Sequence, residues 1–455
     1  MRGTPSSASS SRRADLWANL WPDRRTVWRW HVLSGLFCLP FVAFLCLTGA
    51  VYLFKPQIDR LIDRPYDHLA VASSIATPAQ EVRAALASIP NGRLLALELP
   101  QGPGHAARVL VDRGGEAIRV YVDPASLKIV KTVPEEQRFE RIVLKLHGQL
   151  LLGNAGSMVM EMVASWTIVL ILTGLFLWWP RPLRGGGVVV PRLKTVARWR
   201  DLHAVTGFWV SALLALFLVS GLPWSFVWGQ ALAQLQHRLS QAQSLQDWEI
   251  GAQPARTAIA GHPVIEPPRM AAAMPGMEMD APPPAAAEAL AGLDAVVATA
   301  HRLDFPLPVM IVPPAPGAQL WHVRSDTQDR PRRIEALVRP DGAVSSIKRF
   351  GAKPFVDRAV GYGVAAHEGH LFGWANQLLN LLVAALLLVM SLAATVLWLR
   401  RRPPGTLGVP ERVPEPRVGI GTVLAMLVLG VLLPELGASL LLLAAGAFVL
   451  NRVRA

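Results

Sequence analysis

Four histidines recur in register along this 455-residue chain. His31 is followed by Gly35 at four residues and Gly49 at eighteen, within WRWHVLSGLFCLPFVAFLCLTG. His203 is followed by Gly207 at four and Gly221 at eighteen, within WRDLHAVTGFWVSALLALFLVSG. His147 has Gly153 at six, Trp178 at thirty-one and Arg181 at thirty-four, and His367 has Gly373, Trp398 and Arg401 at the same offsets. Two imidazoles from facing helices supply the axial ligands of a bis-histidine b-type haem. Such a macrocycle needs clearance. Gly35 and Gly207 stand one helical turn beyond their histidines on nearly the same face, and Gly49 and Gly221 share that face roughly 27 Å further along. The spacing therefore points to two haem b groups, one between His31 and His203 and one between His147 and His367. Zinc suits the pattern less well, because neither pair has a ready third or fourth ligand except Glu368 and His370. His370 aligns with Leu150 and has no counterpart in the other half; it reads as a group supporting a ligand, as an alternative ligand beside His367, or as part of an outward-facing substrate surface.

The elements that must position these rings are apolar. Runs from Val32 to Phe54, Ser157 to Trp179, Ala204 to Trp228 and Leu378 to Leu399 are each long enough to cross a hydrocarbon core of about 30 Å. A fifth stretch, Ile420 to Leu450, is interrupted at Pro434 and Glu435, which suits either one kinked span or a hairpin of two short helices. The first run lies behind some thirty polar residues and lacks a small-x-small cleavage site, so it reads as an anchor and not as a cleaved signal. The shared offsets make the chain an internal duplication: helix, outward domain, helix, then the same again. Between the spans, PAQEVRAALAS reads as an amphipathic helix, followed by the alternating strands of RLLALELP, ARVLVDRG and AIRVYVDPASLKIVKTV. The second copy reads LDAVVATAHRL, PVMIVPP, LWHVRSD and RIEALVRPDGAVSSIKRF. Each is expected to be a small helix-plus-antiparallel-sheet unit closed by a hairpin with Asp-Pro or Pro-Asp-Gly at its turn.

The net charge of +13 and the 52% hydrophobic content describe a membrane protein and not a nucleic-acid module. Arginine clusters precede the first span (Arg24, Arg25, Arg29), follow the second (Arg181, Arg184, Arg192) and follow the fourth (Arg400, Arg401, Arg402). Short basic loops stay in the cytoplasm, so the N-terminus is expected inside and the two long connections outside, the periplasm in a Gram-negative cell. Cys38 and Cys46, eight residues apart on one span, cannot bridge and read as buried apolar thiols. Glu161 within the second span reads either as a proton-handling group or as a hydrogen-bonded interior carboxylate. Met270, Met274, Met277 and Met279 crowd a Pro- and Met-rich loop near His262. Thioethers suit Cu(I), although such a loop also occurs without metal. His68, His105, His237, His301 and His322 show no partner pattern and read as surface residues.

These motifs, HVLSGLF with LTGAVYLF, LHGQLLLG with GLFLWWPR, LHAVTGFW and HEGHLFG, resemble the PepSY-associated transmembrane family, from about Trp28 to Arg402. Members similar to it include inner-membrane ferric-siderophore reductases. The resemblance implies an α-helical membrane bundle with two small α+β PepSY-like periplasmic domains, and it implies His31, His147, His203 and His367 as haem ligands. The expected layout is a cytoplasmic segment 1–30, span 31–54, PepSY-like domain 55–146, an interfacial segment with span 147–179 and a basic loop 180–202. Span 203–229 follows, then PepSY-like domain 230–366 with its loop 251–287, an interfacial segment with span 367–399, loop 400–418 and a C-terminal hairpin or span 419–451. The expected activity is electron transfer across the inner membrane to a ferric siderophore or other periplasmic metal complex. No G-x-G-x-x-G unit is present, so a quinol or a separate reductase would donate the electrons. The rival expectation is a non-enzymatic, membrane-anchored PepSY binding or regulatory protein whose histidines only pack.

Overall fold

The computed structural model describes residues 20–72, 75–179, 187–239, 290–315, 318–406, 408, 410–411, 413–414, 416 and 418–454. In chain order the elements are α1 (Arg24–Leu53), α2 (Lys55–Asp63), α3 (Pro78–Ser88), β1 (Arg93–Glu98), β2 (Ala107–Arg113), β3 (Glu116–Val122) and β4 (Ile129–Pro134). They continue with α4 (Phe139–Gln149), α5 (Gly153–Trp178), α6 (Arg198–Gly221), α7 (Phe226–Leu239) and α8 (Leu293–Arg302). Last come β5 (Val309–Val312), β6 (Trp321–Ser325), β7 (Ile334–Val338), β8 (Val344–Arg349), α9 (Phe355–His367), α10 (Trp374–Arg401), α11 (Ile420–Leu432) and α12 (Pro434–Arg454). The chain divides into a helical unit (1–50, 146–230, 380–455) and a sheet unit (51–145, 231–379). The loop 251–287, with Met270, Met274, Met277, Met279 and His262, lies outside the described residues.

In the helical unit, α1, α5, α6 and α10 are long and apolar enough to cross a membrane. Much of their apolar surface faces outward, with Leu47, Leu172, Trp209 and Leu392 exposed, as lipid-facing helices require. Asp23 starts α1, accepting the amides of Arg25 and Thr26 at 2.9 Å each, which satisfies two donors that a helix start leaves unpaired. Arg24 then donates to the Leu177 and Trp179 carbonyls at the end of α5 (2.5 and 2.8 Å), tying those two helix ends together. Cys46, Val210, Val383 and Leu387 form the core shared by α1, α6 and α10. Cys38 and Cys46 are buried and unpaired. The C-terminal apolar stretch forms two helices broken at Leu433, before Pro434. The 13 residues of α11 rise only about 20 Å, short of a full crossing. The two helices pack where Gly430 meets Gly437, a Cβ on Gly430 lying 3.3 Å from the Gly437 Cα.

The sheet unit departs from the expectation of two separate small domains. Its eight strands form one antiparallel sheet in the order β4-β3-β2-β1-β5-β6-β7-β8. The join is β1 with β5, Leu97 opposite Ile311 and Glu98 opposite Met310. Each half alone would expose a strand edge with unpaired amides, and edge-to-edge pairing removes both edges. One face of this sheet carries a single core drawn from both halves, including Val82, Leu97, Val109, Val120, Leu293, Ile311, Trp321 and Val323. The covering helices meet there too: the Ala79 amide donates to Asp294 Oδ1 at 2.8 Å. Thr77 starts α3 with a reciprocal cap to Gln80, as its Thr-Pro-x-Gln pattern allows. Both hairpin turns form where the sequence places them, with Asp123 accepting from Ala125 N (3.0 Å) and Asp341 from Ala343 N (2.9 Å).

The opposite face of β1–β3 buries charge. Arg119 bonds Glu98 and, at 2.7 Å, Glu135. Arg108 reaches Glu98 at 3.2 Å and Asp67 at 2.8 Å. Burial alone would raise the Glu135 carboxyl, but the Arg119 and Arg138 guanidiniums hold it well below the usual carboxylate range.

Candidate histidine site of the helical unit

His31 lies seven residues into α1, beside the last turns of α5 that Arg24 ties to the start of that helix. His203 lies in the second turn of α6. Two residues before it the buried Asp201 receives Arg192 at 2.6 Å and Arg200 at 3.1 Å, which anchors the start of that helix. The two rings meet with centroids 6.1 Å apart and planes at 78°. An imidazole nitrogen binds a first-row metal at about 2 Å with its ring centre about 1 Å behind, so two rings on opposite sides of one metal have centres about 6 Å apart. The observed spacing fits that arrangement. His203 Nδ1 lies 3.3 Å from the Met390 carbonyl and His31 Nδ1 lies 3.0 Å from Thr173 Oγ1. Each ring is thus oriented through Nδ1, the kind of contact that orients a metal-binding histidine whose Nε2 ligates.

His147, near the end of α4, places Nδ1 2.9 Å from Thr48 Oγ1. His367 is the last residue of α9. It belongs to the sheet unit, whereas His147 belongs to the helical unit. His370 sits in the turn between α9 and α10, where its amide donates to the Ala365 carbonyl at 2.8 Å and Gly369 adopts the left-handed φ of +79° that ends α9. Burial pushes the His370 imidazole pKa down, with Glu368 opposing.

A Cβ on Gly35 would meet Leu170 at 3.8 Å, and one on Gly207 would meet the Met390 sulfur at 3.4 Å, both helix-packing contacts. A Cβ on Gly49 would lie 3.2 Å from His147 Cε1, so that gap admits the histidine ring itself. Gly221 ends α6. Gly174, matched by Ala394 in the second half, plays the same part for His31: a Cβ there would lie 3.2 Å from Cε1. The Thr-Gly dipeptide is written at 48–49, 173–174 and 206–207; at the first two the glycine faces a histidine ring, and at the third it faces Met390.

Glu161, inside α5, accepts the amides of Val227 (3.0 Å) and Trp228 (3.1 Å) at the start of α7. His322, read from sequence as a surface residue, is mostly buried 3.6 Å from Glu335, and His105 lies 3.3 Å from Asp67. Among the described residues no three His, Cys, Asp or Glu side chains gather as a metal-ion site. A family model described as the PepSY-associated TM region matches residues 28–401. No curated protein matches the chain.

Proposed function

The chain belongs to the PepSY-associated transmembrane family, and from that premise we propose that it is a haem-bearing inner-membrane oxidoreductase that delivers electrons to a ferric complex, a ferric siderophore, in the periplasm. The observation that carries this reading is the meeting of His31 and His203 at 6.1 Å, each with its Nδ1 engaged by an oxygen. His31 and His203 would hold one haem b. His147 and His367, which share offsets to Gly, Trp and Arg over thirty-four residues, would hold a second. Bound between two imidazoles, haem supplies a one-electron Fe(III)/Fe(II) couple at a fixed depth in the membrane. The chain's own residues orient the ligands. The Met390 carbonyl turns His203, and the Asp201 anchor with Arg192 and Arg200 sets the start of its helix.

We read the paired offsets as an internal duplication; the mirrored strand order about β1 and β5 supports it. The basic clusters at Arg24, Arg25 and Arg29 and at Arg400, Arg401 and Arg402 support a cytoplasmic N-terminus and a periplasmic sheet unit. A membrane quinol or a separate reductase would supply the electrons. Reducing the substrate iron to Fe(II) weakens its hold on hard oxygen ligands, which is how release would follow. The test is the visible spectrum of the purified chain, oxidised and reduced, with a pyridine-haemochrome count. Two b-type haems per chain, lowered to one by His31→Ala or His203→Ala, and reoxidation by ferric siderophores are the expected results. A colourless preparation from haem-replete cells would overturn the reading.

A further inference from the structure

Three of the repeated histidines present the same nitrogen to the protein, and the chemistry of the partner decides the proton. His203 Nδ1 faces the Met390 carbonyl at 3.3 Å. A carbonyl has no hydrogen to give, so Nδ1 carries the proton and Nε2 the lone pair. His31 Nδ1 faces Thr173 Oγ1 at 3.0 Å and His147 Nδ1 faces Thr48 Oγ1 at 2.9 Å. A hydroxyl could play either role, but it has one hydrogen. Thr173 already donates to the Val169 carbonyl at 2.7 Å, and Thr48 to the Phe44 carbonyl at 2.9 Å, each within its own helix. Both hydroxyl oxygens are left as acceptors, so both histidines are donors through Nδ1. The residue following each threonine is glycine, and a Cβ on Gly174 or Gly49 would stand 3.2 Å from the histidine Cε1. The ring occupies the space that a side chain would fill.

We infer that Thr173–Gly174 and Thr48–Gly49 are positioning sockets for His31 and His147, the threonine fixing the tautomer with its lone pair on Nε2 and the glycine admitting the ring. The identity of what Nε2 binds rests on the proposed function; the tautomer does not. The second half of the chain builds the orientation in another way. At the register of Thr173–Gly174 it has Ala393–Ala394, with no hydroxyl, and His203 turns to the main chain at Met390. The His31–His203 pair is therefore asymmetric: a side-chain substitution can remove the acceptor of His31 but not that of His203. An Nδ1–H donated to oxygen makes the imidazole a more basic ligand. It favours the more highly charged metal state, so losing the acceptor at Thr173 raises the midpoint potential of that centre.

The experiment uses the purified full-length chain with ¹⁵N-labelled histidine, comparing Thr173→Val, which keeps the shape and removes the acceptor, with Thr173→Ser, which restores it. Ring-nitrogen shifts are read by solid-state NMR on the reduced protein, and haem retention by transfer to apomyoglobin. The expected outcome for Thr173→Val is loss of the fixed Nδ1–H signature at His31, about 10- to 100-fold weaker retention of one haem and a raised midpoint, all reversed in Thr173→Ser. Wild-type behaviour of Thr173→Val in both readouts would overturn the inference, as would a wild-type His31 protonated on Nε2. A colourless wild-type chain with His31 protonated on Nδ1 would sink the haem reading and leave the socket standing. Should Thr173→Val fail to fold, Thr48→Val with its serine control asks the same of His147.

Discussion

Glu81 offers a quantitative test of the single sheet core. It lies in α3, 4% exposed, where α3 meets α8 and the Ala79 amide holds Asp294. Burial first, and then the neighbouring Asp294 charge, push its carboxyl up to about 7 from an ordinary 4.5. Ionising it in the folded chain therefore costs about 3 kcal/mol more than in the unfolded chain. Between pH 4.5 and 7 the folded state binds more protons, so stability falls as pH rises through that window and levels off above it. Glu81→Gln imitates the protonated form and removes the loss. The variant should gain about 3 kcal/mol at pH 8.5 and almost nothing at pH 4.5. Hydrogen exchange read by mass spectrometry on peptides covering β1 and β5, variant against wild type at each pH, measures that gain directly and cancels intrinsic exchange rates. An equal gain at both pH values, or none at pH 8.5, would refute the argument, because the carboxyl would then be ionised without penalty and the helix contact would not be a closed interior.

Two further perturbations probe the buried charges. Arg119→Met leaves Glu98 to Arg108 alone and Glu135 to Arg138 and Arg141. It should cost about 3 kcal/mol, seen as a lowered thermal midpoint of the sheet unit by circular dichroism; a change under about 1 kcal/mol would mean that the network is solvated. Glu335, whose burial alone would raise its pKa, is held down to about 2 by His322 and Lys353. Its contribution is present above pH 4.5 and lost as pH falls toward 2, so Lys353→Met should move acid unfolding to higher pH, and an unchanged acid midpoint would show the pair to be idle.

Much of the architecture is legible along the chain because it depends on local periodicity. The four spans follow from apolar run length, the two hairpin turns from Asp-Pro and Pro-Asp-Gly, and the C-terminal break from Pro434, which lacks an amide to donate and suits the first position of a new helix. The histidine register is legible for the same reason, since fixed offsets such as His31 to Gly49 survive as spacing in one dimension. Glu161 and His322 were not legible: the residues that satisfy them, the amides of 227–228 and Glu335, are remote or lie on a neighbouring strand.

By itself the sequence determined which segments are apolar enough to cross a membrane, where they are punctuated, and that four histidines recur at matched positions. Tertiary structure alone decided that the two strand sets share one sheet, because β1 and β5 complete each other's hydrogen bonds across more than 200 residues of chain. It alone decided that His31 faces His203, and that Thr173 with Gly174 seats one ring while a main-chain carbonyl turns the other. The physical reason is common to both. A hydrogen-bond acceptor or a missing Cβ acquires its meaning from what packs against it, and that neighbour comes from a distant part of the chain.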